Sequence, residues 1–127
     1  MYKRQQQAID YARAQGASSV TTWGYSSGGA LAALVPADAL LLTFPDFGAL
    51  ANLPEELRAG YEIPADLSEL SPHTFVQTAT EDEIAARVCV PGAVARDYVS
   101  THRVSTPAVA RQRVRDAATF LAGELEK

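Results

Sequence analysis

A chain of 127 residues with 47% hydrophobic and 20% charged positions has the makeup of one folded domain, long enough to bury about two thirds of its unfolded surface, which excludes intrinsic disorder. Its formal charge of -4 comes from acids and bases mixed along the sequence, with no basic run to neutralise a row of phosphates, so nucleic acid is not an expected partner. The longest apolar stretch, Ala30 to Phe44, is broken by Pro36 and Asp38 and falls short of the roughly 20 residues a membrane span needs, and the lone Cys89 is expected as a small buried residue.

The chain opens on Met1-Tyr2-Lys3-Arg4-Gln5, which resembles a translated sequencing-library adapter (GTG TAT AAG AGA CAG). On that reading residues 1–5 are an artefact, residues 6–127 are the C-terminal portion of a domain, and natural sequence is missing before Gln6; the alternative is an ordinary polar helix start. A signal peptide is then undecided, and a cytoplasmic location stands only as an expectation. Gln5 to Gln15 predicts an amphipathic helix with Ala8, Ile9, Tyr11 and Ala12 on one side and a stop at Gly16. Ser19 to Trp23 is rich in strand formers and runs into Gly24, a helix is expected over Gly28 to Leu34 before Pro36, and Ala39 to Phe44 is a second strand. Continuous rather than alternating apolar residues in that strand point to a parallel sheet covered by helices on both faces.

A short helix is expected around Pro54 to Ala59 and a third strand over Thr74 to Thr78, followed closely by Glu81-Asp82-Glu83. Between Ile84 and Thr101 two assignments compete: a short helix and then a fourth strand over Asp97 to Thr101, which is favoured, or a strand over Ala86 to Val90 with a long loop behind it. From Pro107 a long helix is expected, with Thr106 as its cap and Val114, Ala117, Ala118, Leu121 and Leu125 as one apolar stripe.

Gly24-x-Ser26-x-Gly28 falls between the first strand and the helix after it. A tight turn there lifts a serine hydroxyl clear of a sheet, and glycines at 24 and 28 avoid clashes at unusual backbone angles. A serine is a weak nucleophile unless a base lies within hydrogen-bond reach and a third group orients that base. Of the two histidines, His73 precedes the third strand, where an edge role is the default, while His102 follows the last strand and is the candidate base. Asp82, after the third strand, is the candidate acid, and Asp46, after the second, is its rival. Each has a plainer alternative: Asp82 as the cap of a helix near Glu83, His102 as a loop histidine. Glu81 and Glu83 read as solvated neighbours.

With G-Y-S-S-G-G at the turn, T-E-D-E after a strand and T-H-R-V-S-T-P before the final helix, the chain resembles the α/β-hydrolase superfamily from about Gln6 onward, especially small lidless members similar to dienelactone hydrolases and carboxylesterases. The resemblance implies a partial α/β-hydrolase fold of about four parallel strands with flanking helices, the N-terminal half of the sheet being absent. It implies acyl transfer by Ser26, His102 and Asp82, with the Ser27 N–H in the oxyanion hole, a small ester-type substrate, and no cofactor or metal. Dienelactone hydrolases proper carry cysteine where Ser26 stands, which leaves the substrate open. The second oxyanion donor would come from a loop after the superfamily's third strand, so low activity is expected, along with self-association through the exposed sheet edge. Two other classes compete: a binder of anions or nucleotides at the glycine-rich turn, though G-Y-S-S-G-G lacks the G-x-G-x-x-G and G-K-[ST] signatures, and a non-catalytic α/β scaffold.

Overall fold

The computed structural model describes residues 2–35, 37–58, 70, 73–103 and 106–123. Four strands, β1 (Thr21–Tyr25), β2 (Ala39–Thr43), β3 (Thr74–Ala79) and β4 (Val94–Tyr98), form one parallel sheet in the order β1-β2-β3-β4. Around them lie α1 (Tyr2–Ala14), α2 (Ser27–Ala32), the single turns α3 (Gly48–Ala51) and α4 (Glu55–Arg58), and α5 (Pro107–Leu121). The expected α/β class with a four-stranded parallel sheet is therefore what the chain adopts. Among the described residues no helix is long and apolar enough to cross a membrane.

Continuous apolar sequence translates into two-sided burial. Every residue of β3 is buried, as are four of the five in β2, because these central strands are covered on both faces. On one face Leu41, Phe75 and Val94, aligned across the register, pack against Ala117 and Phe120 of α5. On the other, Leu40, Leu42 and Val76 meet Ala32 of α2 together with Val88 and Val90. The edge strand β1 keeps Trp23 and Tyr25 partly in solvent.

Several boundaries and faces differ from the sequence expectation. The first strand begins and ends two residues later than predicted, so Gly24 and Tyr25 belong to it. The fourth strand is Val94–Tyr98, three residues ahead of the favoured assignment, and residues 86–90 form neither the short helix nor the alternative strand. That segment runs irregularly, with Val88 and Val90 turned to the core and Cys89 between them exposed, which corrects the expectation of a buried thiol. Among the described residues of α1 only Ile9 is fully buried, and Tyr11 faces solvent. The inner face of α5 is carried by Val109, Ala117 and Phe120, while Val114 and Leu121 of the predicted stripe are half exposed. Leu125 and Ala59 lie outside the described residues. Thr106 caps α5 as expected, its hydroxyl accepting the Val109 N–H, with Pro107 at the first helical position.

A chain of buried polar contacts crosses the sheet. The Trp23 indole donates to the Thr43 hydroxyl at 2.8 Å, which donates to Gln77 Oε1 at 2.6 Å. The Gln77 amide in turn donates to the Tyr98 hydroxyl at 3.2 Å and to the Arg113 carbonyl of α5 at 2.9 Å, and Tyr98 donates to Asp116 at 2.6 Å. Gln77 is wholly buried, so leaving its amide without these partners would carry the full desolvation cost of the group.

Candidate active site

At the C-terminal end of β1 the chain turns sharply into α2. Ser26, at that turn, has φ 57° and ψ -124°, a conformation that costs a non-glycine residue of order 1–3 kcal/mol and persists only where its surroundings impose it. Four backbone hydrogen bonds do so: the Ser26 N–H donates to the Thr43 carbonyl at 3.0 Å, and the Ser26 carbonyl accepts from Asp46 at 2.9 Å, Gly29 at 3.0 Å and Ala30 at 3.4 Å. A serine at a helix N-cap ordinarily turns its hydroxyl onto the first helical amides, but Ser26 makes no such bond. Its Oγ lies 2.8 Å from His102 Nε2 instead.

His102 follows β4 in an irregular loop, yet only 3% of its surface is exposed. Pairing between the third and fourth strands continues past their ends, with Thr80 N–H donating to the Tyr98 carbonyl and Glu81 N–H to the Ser100 carbonyl, both at 2.9 Å. The loop bearing Asp82 and the loop bearing His102 are thereby zipped side by side. His102 Nδ1 sits 3.0 Å and 2.9 Å from the two carboxylate oxygens of Asp82. Asp82 Oδ1 also accepts the N–H groups of Ile84 at 2.9 Å and Ala85 at 2.7 Å. The plainer alternative of a capping aspartate thus describes half of what Asp82 does, although no helix follows it. Burial of that carboxyl raises its pKa, but the Ala85 N–H, the His102 ring and the Ile84 N–H together outweigh burial and hold it below the usual aspartate value.

The structure therefore joins Ser26, His102 and Asp82 and leaves the rival acid elsewhere: the Asp46 carboxylate accepts the Ala49 N–H at 3.2 Å, at the start of α3. His73 lies at the opposite end of the strands, beside a cavity of about 910 Å³, which Thr21, Asp38 and Leu121 also line. That cavity is remote from the Ser26 hydroxyl. Ser27 heads α2, where a backbone N–H has no intrahelical carbonyl one turn behind it.

Of the two elbow glycines, only Gly24 is required by space: a Cβ there would lie 2.2 Å from the Gly28 carbonyl oxygen. Gly28 itself has nothing within 4 Å of a hypothetical Cβ, and the second tight position is Gly29, at 3.2 Å from both the Gly24 carbonyl oxygen and Pro45 Cβ. Aromatic neighbours complete the site. Tyr25 and Phe44 place their rings 5.5 Å and 6.3 Å from the imidazole, and Phe44, buried with Ala79 and Tyr98, itself has a positive φ of 47°. The sequence carries no signal for Phe44, since nothing in a run of apolar residues marks one as left-handed. Comparison with protein-family models and with curated proteins finds no match.

Proposed function

We propose that the chain carries the catalytic residues of a serine hydrolase of the α/β-hydrolase superfamily, acting on carboxylic esters or related acyl bonds. One observation supports this above the rest: a serine hydroxyl in a strained strand-to-helix turn lies 2.8 Å from one nitrogen of a buried imidazole whose other nitrogen contacts a carboxylate. In this reaction His102 Nε2 takes the Ser26 proton as Oγ attacks the acyl carbon, and the Ser27 N–H donates to the oxyanion that forms. The imidazolium then returns its proton to the leaving oxygen as the C–O bond breaks, releasing the alcohol and leaving an ester on Ser26. Water, deprotonated by His102, attacks that ester; the acid departs and Oγ recovers the proton. Asp82 stays anionic throughout, fixing the ring tautomer and stabilising the imidazolium.

A fluorophosphonate probe tests the assignment. It labels the chain at one residue, and Ser26→Ala abolishes labelling while the circular dichroism spectrum is retained. Asp82→Asn slows labelling by up to about 10,000-fold, far more than Asp46→Asn does. Labelling that survives Ser26→Ala, or that maps to Ser27, overturns the assignment.

A further inference from the structure

His102 is gripped by its main chain as well as by its ring. Its carbonyl accepts the Tyr25 phenol O–H at 2.5 Å, and its N–H donates to Glu83 Oε2 at 3.2 Å. The Tyr25 ring also stands against the imidazole, 5.5 Å between centroids and inclined by 44°. Tyr25 is the sequence neighbour of Ser26 and Glu83 that of Asp82. The residues beside the nucleophile and beside the acid thus hold the backbone of the residue that bridges nucleophile and acid.

We propose that Tyr25 and Glu83 are positioning residues that clamp the His102 backbone so that its imidazole reaches Ser26 and Asp82 at once. The need follows from where His102 sits. The inter-strand bonds end at Ser100, and Thr101 to Arg103 is irregular, with a local bond from the Thr101 hydroxyl to the Arg103 carbonyl. An imidazole that must lie within 3 Å of two partners on different loops tolerates little drift, because a displacement of about 1 Å can cost on the order of a hundredfold in rate. Two bonds to the backbone on either side of Cα remove that freedom without occupying a ring nitrogen. The Tyr25 phenol is suited to its part: burial raises its pKa and, although Arg113 opposes this, Asp82 adds to it, so the group remains an O–H donor through neutral pH. Glu83, counted in the sequence as a solvated neighbour, has a second role as acceptor.

The clamp rests on the hydrolase reading for its purpose, but its geometry is tested separately. In the 127-residue chain, proton NMR of ¹⁵N-histidine-labelled protein, assigned with His73→Gln, follows the His102 Nδ1–H that bonds Asp82. Tyr25→Phe keeps the ring and loses the O–H; it speeds exchange of that proton about fivefold and slows fluorophosphonate labelling about tenfold. Glu83→Ala does likewise, whereas Glu83→Gln, whose amide oxygen still accepts, restores most of the protection; this exposed pair decides the matter if Tyr25→Phe does not fold. If the proton responds in this way but Ser26 is never labelled, the clamp stands and the hydrolase reading falls. If Ser26 is labelled while exchange and rate are unmoved by Tyr25→Phe and Glu83→Ala, the reading stands and the clamp is overturned. A chain with no His102 Nδ1–H signal also overturns it.

Discussion

The carboxylate of Asp82 serves two backbone amides and an imidazole at the same time, so its charge is part of what holds the fold there. Burial works against that charge, but the three donors prevail and the folded pKa lies below the ordinary aspartate value of about 3.9. A group whose folded pKa is depressed contributes stability above its unfolded pKa, and loses that contribution as pH falls from there through the folded value. The unsubstituted chain is therefore expected to exceed Asp82→Asn in urea-unfolding free energy at neutral pH, and this margin shrinks below about pH 4. Unfolding curves across the acid range check this, and a margin that grows on acidification would reverse the sign of the argument.

At the level of elements, the crossing of β1 and α2 decides how the serine is presented. Gly24 of the strand meets the first turn of the helix so closely that a methyl group at position 24 would overlap the Gly28 carbonyl. Gly24→Ala is expected to cost about 1–3 kcal/mol and to displace the turn, whereas Gly28→Ala, at an open helical position, is neutral or stabilising by up to about 1 kcal/mol. Thermal unfolding of the two variants ranks them, and equal losses would show that the elbow is not set by this contact. The glycine spacing was legible in the sequence; which glycine is sterically required was not, since that depends on the distance between two elements. The same division holds across the molecule. Central strands β2 and β3 announce themselves through unbroken apolar runs, whereas V-A-R-D-Y at the β4 edge mixes charge with apolar residues and was placed three positions late. Ser26, Asp82 and His102 could be picked out by order along the chain, because strand ends in a parallel sheet share one edge. Tyr25 and Glu83 could not, as their partner is a backbone group 77 and 19 residues away.

For the whole molecule, strand order among the described residues leaves β1 paired on one side only, with Trp23 and Tyr25 partly exposed on it. An edge with free N–H and C=O groups beside exposed aromatic rings is a template for another strand. The 127-residue chain is expected to elute from size-exclusion chromatography as a dimer or larger species. A monodisperse monomer would contradict this. The all-parallel order of this sheet also bears on how the protein is made. Parallel neighbours cannot be joined by a tight hairpin, so every pairing must wait for a long connection to close, and such topologies fold slowly. Ser26 and His102 are 76 residues apart and meet only when β1, β2, β3 and β4 have all found their places. A newly synthesised chain consequently brings the Ser26 hydroxyl to the His102 ring only once the whole sheet is assembled.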